Sequence, residues 1–292
     1  MNKLIILSAV VILAGLFACN PMKKIETVQT SAYSAYQNGN YSEALTQYEQ
    51  LMKLYKEQSK EVPYDIIVKA AKAAFSAENY EKAKPYLEQA FKGNKTYELL
   101  KMLIETYHKL GDTGALKGLI SENIPVFEKA GKKDEAFTEL FKLDYSEGRY
   151  EDAYNDYLNI ANPDMDLFPE YLTVLNELGK KDEAQKACET MLTKDENSIP
   201  ALEWLAVSEY NKAEDWYKSE MAKYNKNKNA TTYAYLRRDL KKISAIFRSA
   251  RDKFIKLRKL DPENKTYIKY LKNTYLRLDM KDKAKEMDDL LK

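Results

Sequence analysis

Apolar and polar positions along the chain recur in a short phrase: an aromatic residue, a small residue three positions on, a bulky residue four further, and another three further. Tyr41, Ala44, Tyr48 and Leu51 follow it, as do Tyr80, Ala83, Leu87 and Ala90, and Tyr150, Ala153, Tyr157 and Ile160. Steps of three and four keep one stripe along a helix, so each phrase predicts an amphipathic helix that buries its stripe. Looser copies run through Thr113, Leu116 and Ile120 and through Lys181, Ala184, Cys188 and Met191. The last copy, Lys281, Ala284, Asp288 and Leu291, has a charge at one bulky place. Gly39, Gly111, Gly148 and Gly179 each stand two residues before a phrase, where a preceding helix can end in a left-handed turn. The segments before them are amphipathic too, for example Leu100, Leu103, Ile104, Tyr107 and Leu110. Each unit therefore reads as helix, turn, helix, with the small residue where two helices cross closely.

Successive phrases start 39, 33, 37 and 31 residues apart. The Tyr-x-x-Ala phrase, with the ending Leu260-Asp261-Pro262-Glu263-Asn264, resembles the tetratricopeptide repeat, a family of antiparallel helix pairs stacked into a right-handed superhelix. The resemblance implies an all-α fold, an α-solenoid of about seven helix pairs beginning near Lys24, Val62, Lys95, Asp134, Met165, Asn197 and Lys265. Units one to five would occupy residues 25–196, unit six 197–264, and a closing pair 265–292. Unit three lacks the turn aromatic. Pro85 falls inside the second helix of unit two, where its missing N–H predicts a kink.

Unit six departs from the pattern. Ala206, Tyr210, Ala213, Tyr217, Met221 and Tyr224 keep one apolar face going without Gly or Pro, and 225–229 is a polar turn. Leu236, Leu240, Ile243, Phe247, Ala250, Phe254 and Leu257 then alternate steps of four and three, a heptad seam. The expectation is an elongated hairpin whose return helix, about 28 residues, is roughly 42 Å long against roughly 20 Å for an ordinary helix of the repeat.

Charge divides near the same point. Residues 25–210 carry 21 basic and 33 acidic side chains, and 211–292 carry 23 and 12. Arg237, Arg238, Lys241, Lys242, Arg248 and Arg251 crowd the return helix. They are read either as a solvated face or as a contact for acidic protein, lipid phosphate or cell-wall carboxylate. Nucleic acid is not expected as a partner, because the other end of the chain reads as a secretion signal.

Residues 1–18 have that pattern: Lys3, then an apolar run from Leu4 to Ala14 broken only by Ser8, shorter than the about 20 residues a membrane span needs. Leu16-Phe17-Ala18-Cys19 resembles a bacterial lipobox, which implies cleavage before Cys19, lipid on that cysteine, and a short tether over 19–24. By the same resemblance Asn20, in place of Asp, points to the outer membrane. Pro21-Met22-Lys23-Lys24 lacks the acidic cluster of surface-exposed lipoproteins of the Bacteroidetes, so the body is expected to face the periplasm. Lipid on Cys19 would leave Cys188 as an unpaired core residue.

Candidate chemistry adds little to this. One histidine and two cysteines make no Cys/His metal site or Cys–His pair, and no phosphate loop, nucleophile elbow or HExxH occurs. No catalysis, metal, cofactor or small-molecule substrate is expected. Asp134-Glu135 and Asp182-Glu183 open helices, where negative charge suits the dipole. Stacked helix pairs offer a groove lined by the first helix of each unit. The repeat register places Tyr33, Tyr36, Lys69, Lys72, Lys101, Glu105, His108, Glu139, Lys142, Tyr145, Asn176 and Glu177 along it. Aromatic and charged groups together suit protein contacts. Lys269 and Asn273 match the first pair of a carboxylate clamp known in one subfamily, but no later units exist to complete it. The expected function is a lipid-tethered envelope scaffold that gathers cell-envelope proteins or peptides, with a carbohydrate- or cell-wall-binding module built on tyrosines as the alternative.

Overall fold

The structure is a computed structural model that describes residues 21–292. The expected secretion segment and the Cys19 lipidation site lie outside the described residues. Among those residues there is no strand, and the chain divides into two compact units meeting at Ala136 and Phe137.

The first unit holds α1 (Pro21–Gln37), α2 (Tyr41–Glu57), α3 (Tyr64–Ser76), α4 (Tyr80–Gly93), α5 (Tyr97–Leu110), α6 (Thr113–Glu122), a six-residue α7 (Ile124–Lys129) and the start of α8 (Lys133–Ser146). The second holds the rest of α8, then α9 (Tyr150–Leu158), a single 3-10 turn (Met165–Leu167), α10 (Phe168–Glu177), α11 (Lys181–Lys194), α12 (Ile199–Lys226), α13 (Ala230–Leu260), α14 (Lys265–Arg277) and α15 (Lys281–Asp289). Within each unit the extensive helix contacts join neighbours in chain order, α1 with α2, α2 with α3 and so on through α5, and α9 with α10 onward to α15. Such sequence-local stacking is the mark of a repeat array. α7 interrupts the alternation and was not legible in the periodicity.

The second helix of a pair begins at the phrase itself: α2 at Tyr41, α4 at Tyr80, α6 at Thr113, α9 at Tyr150, α11 at Lys181 and α15 at Lys281. The small residue of the phrase sits at the crossing, with Ala44, Ala83, Ala153 and Ala184 wholly buried and Ala284 nearly so. Two residues ahead of the phrase the chain is left-handed each time. Gly39 has φ +78° and Gly148 +71°, and Glu78 and Asp279 hold φ of 55° and 56° at the same register without being glycine. The repeat thus imposes the turn, and glycine relieves its strain where present. α4 passes through Pro85 near its start.

Tyrosines tie each pair to the next. Tyr86 on α4 donates to Glu49 on α2 (3.2 Å), Tyr107 on α5 to Glu88 on α4 (2.6 Å), and Tyr97 on α5 to Glu135 on α8 (2.6 Å). In the second unit Tyr154 on α9 donates to Glu183 on α11 (2.6 Å) and Tyr267 on α14 to Glu203 on α12 (3.4 Å). Burial, then the neighbouring carboxylate, pushes Tyr86 up to about 12, and burial, then the bond to Glu135, does the same for Tyr97. Cys188 is free and fully buried in the second unit's core, and burial pushes its thiol up to about 12.

α12 and α13, 28 and 31 residues, form the elongated hairpin. Its seam buries Leu236, Ile243, Phe247, Ala250, Phe254 and Leu257, with Leu240 half-buried beside them. Asp239 is buried in the same seam, and Arg238 Nε holds its carboxylate at 2.9 Å. At the base, Glu209 accepts from Lys253 at 2.8 Å, and Arg277 on α14 grips Glu214 with two bonds of 2.7 and 2.6 Å while lying over the Tyr217 ring at 4.3 Å. The turn, Asn227 to Asn229, is closed by a capping box: the Thr232 N–H donates to Asn229 Oδ1 (2.9 Å), and the Asn229 N–H donates to Thr232 Oγ1 (3.1 Å).

Candidate functional site

Two clefts lie on the first helices of the pairs. In the first unit, α1 and α3 face each other over α2. Tyr33 and Tyr36 come from successive turns of α1, Lys69 and Lys72 from successive turns of α3, and Gln37 closes one end. The space they line is about 110 Å³, below the roughly 300 Å³ at which drug-sized pockets begin, so it takes one side chain and no cofactor.

Tyr48 of α2 forms the base. Its residue is 1% exposed, and its hydroxyl, which makes no hydrogen bond to a described residue, still reaches the open space of the cleft. Burial, then Tyr36, Asp65 and Tyr33, holds its ionisation above the ordinary phenol value, so it remains a neutral donor. Each lysine already holds a carboxylate: Lys69 to Asp65 at 3.0 Å and Lys72 to Glu98 at 2.7 Å. Their apolar stems, together with the Tyr33 and Tyr36 rings, make the wall.

In the second unit a wider, more open cleft of about 750 Å³ runs between α10 and α12. Leu172, Pro200 and Val207 make its apolar part, and Lys212 and Asp215 make its polar end. At its centre Trp204 Nε1 donates to Asn176 Oδ1 at 2.8 Å, which orients the indole against α10.

Of the residues placed along a groove by register, Tyr33, Tyr36, Lys69 and Lys72 line the first cleft and Asn176 lines the second. Lys101, Glu105 and His108 lie exposed on α5, and Lys142 and Glu177 lie exposed on α8 and α10. Glu139 is half-buried. Tyr145 packs instead of lining a cleft: its ring stacks on Phe141 (6.1 Å) and tilts against Tyr150 (6.4 Å). Sequence reasoning missed Tyr48, which it treated as a packing residue of the phrase, and Trp204. Trp204 stands 28 residues after Asn176, one repeat on, and is one of only two tryptophans; that was the available signal.

On the hairpin, Arg237, Lys241, Lys242 and Arg248 are exposed and make no ion pair with a described residue. Arg238 is spent on Asp239, whose carboxyl the Arg238 hydrogen bond holds below the usual range. Arg251 pairs with Asp252 at 2.7 Å. Among the described residues no group of His, Cys, Asp and Glu could hold a metal ion, and no helix is long and apolar enough to cross a membrane.

No protein-family model and no curated protein matches the chain. Solved structures are similar to it. A structure of Naa15/Naa10 bound to HypK-THB aligns over 92% of this chain and 53% of that one, at 16% identity and a TM-score of 0.50. YrrB, a TPR protein described as having an unusual peptide-binding site, aligns over 63% of this chain and 96% of its own at 16% identity and a TM-score of 0.44. A tetratricopeptide repeat protein from Parabacteroides merdae aligns over 86% and 99% at 15% identity and a TM-score of 0.43. Identity at this level speaks to fold alone. The fold is all-α, of the tetratricopeptide type: helix pairs stacked in chain order, one pair drawn out into the hairpin.

Proposed function

We propose that this chain is a protein-binding scaffold of the bacterial cell envelope, held by lipid on Cys19 to the outer membrane with its body in the periplasm. The observation that carries the binding role is the cleft over Tyr48. It presents an aromatic wall, two lysine stems and a neutral phenol hydroxyl that makes no hydrogen bond to a described residue, all on helices. A peptide side chain with an apolar body and a hydrogen-bond acceptor would fill it, the rings covering the apolar part and Tyr48 donating to the acceptor. The envelope address is supported by the residues of the signal segment and the Leu16-Phe17-Ala18-Cys19 sequence. Tethering would raise the local concentration of captured partners, and a stiff helical frame would fix their spacing.

The test is a photo-cross-linking side chain placed at Tyr33 in living cells, followed by mass spectrometry and membrane fractionation. Envelope proteins cross-linked from Tyr33, lost when Tyr48→Phe removes the donor, are the expected result. Glycan fragments as the dominant product would favour a wall-binding module instead. Persistence in the membrane fraction after Cys19→Ala would remove the lipid anchor from this reading without touching the cleft.

A further inference from the structure

We propose that the distal end of the α12–α13 hairpin docks on an anionic phospholipid surface. Between residues 221 and 242 the chain has seven basic side chains and one acidic one, Asp239. Arg238 already neutralises Asp239, and Lys223 is paired with Glu220 at 2.6 Å. Lys226, Lys228, Arg237, Lys241 and Lys242 remain exposed with no ion pair to a described residue. A cluster this dense repels itself, and an external negative surface relieves that repulsion.

The placement of two tyrosines selects the kind of surface. At about 100° per residue, Arg237, Lys241, Arg238 and Lys242 fill a stripe of α13 about 140° wide. Tyr233 falls on one edge of that stripe and Tyr235 on the other, and they are 50% and 55% exposed. Leu236, Asp239 and Ile243 occupy the opposite, buried side. Arg238 lies over the Tyr235 ring at 5.4 Å, and Tyr233 tilts against Tyr224 at 5.9 Å, so the rings are braced.

A broad cationic stripe rimmed by exposed phenols matches a bilayer interface. Lipid phosphates meet the cations, and tyrosine rings settle at the level of the headgroups with their hydroxyls in water. The capping box at Asn229 keeps the turn ordered, so the stripe is presented on a firm end. Within the same unit, residues 137–210 carry six basic and 17 acidic side chains. An anionic surface repels that stretch while attracting the tip, which leaves one orientation favoured. No lipid on Cys19 is required for this contact.

The test uses the full chain, with vesicles of phosphatidylcholine alone and of a one-to-one mixture with phosphatidylglycerol. Any contribution of the N-terminal segment is common to all variants. Binding should be tighter to the mixed vesicles and should weaken as salt is raised. Reversing Arg237, Arg238, Lys241 and Lys242 to Glu should reduce that preference on the order of 100-fold. Reversing Lys92, Lys109, Lys129 and Lys132, an equal change of net charge elsewhere, should leave most of it. Tyr233→Ser with Tyr235→Ser should weaken binding at every salt concentration without changing the salt slope. If circular dichroism shows the fourfold variant unfolded, Lys226→Glu with Lys228→Glu at the exposed turn decides, with a smaller loss expected. Equal binding to both vesicle types overturns the proposal, as does equal loss in the control reversal. Retention on an acidic polypeptide without phosphatidylglycerol preference assigns the stripe to protein and overturns it too.

Discussion

The pair α3–α4 and the hairpin α12–α13 share one architecture and differ in how much of each helix is held. α3 buries six of its 13 residues, four of them alanines packed against α2 and α4. α13 buries seven of its 31, one of them an aspartate. α12 buries nothing beyond Ala213, although it runs on to Lys226. An ordinary helix has neighbours on two sides, so a wide apolar stripe is needed and small residues let backbones approach. The distal hairpin has only its own partner helix, so a narrow seam suffices and the remaining surface is free to carry charge. Stability is concentrated in the first region, and freedom to vary the surface in the second.

Alkali should produce the largest effect, because it strikes the phenol–carboxylate bonds that join the ordinary pairs. Burial first, with a neighbouring carboxylate, pushes Tyr86, Tyr97 and Tyr267 up to about 12 from the ordinary phenol value of 10.0. A folded value above the unfolded one contributes stability that is full below pH ~10 and is lost as pH rises toward ~12. Far-UV circular dichroism should therefore hold steady to about pH 9.5 and then fall cooperatively, with tyrosinate absorbance rising in the same step. Full tyrosine ionisation near pH 10 with the helices intact would show that these bonds do not hold the pairs together.

Packing separates the two regions next. Ala83→Leu places a bulky side chain at a fully buried crossing and should cost about 1–3 kcal/mol in denaturant unfolding. Ala222→Leu, on the exposed side of the distal α12, should stay within about 0.5 kcal/mol of the parent. Equal losses would mean that the hairpin end is packed as tightly as the pairs. One change acts in the opposite direction: Glu78→Gly relieves a left-handed residue and should add about 1 kcal/mol of stability. A loss there would show that the Glu78 side chain supports the turn by a contact that outweighs its strain.

How much of this was legible differs by level. The helix starts at Tyr41, Tyr80, Tyr150 and Lys181, and the length of the hairpin, follow from periodicity, since a stripe at steps of three and four has only one helical solution. The short α7 was not legible, because six residues around Pro125 are too few to establish a period. Asp239 was unreadable as a buried residue from pattern alone. Its burial depends on the neighbouring Arg238 folding back to neutralise it, and no periodicity encodes that. Tyr145 and Tyr48 show the same limit from opposite sides. Both are aromatic and near a first helix or its partner, yet one stacks into the core and the other floors a cleft.

The order of apolar, small and charged residues by itself determined the helices, their pairing and the place where one pair lengthens, because these depend on neighbours a few positions away. Which groove residues share a cleft, which tyrosine floors it and which helix pair supplies the carboxylate for Lys72 were decided by the tertiary structure. Those outcomes depend on side chains far apart in the chain, such as Lys72 and Glu98, 26 residues apart, meeting at distances that only the packed helices set.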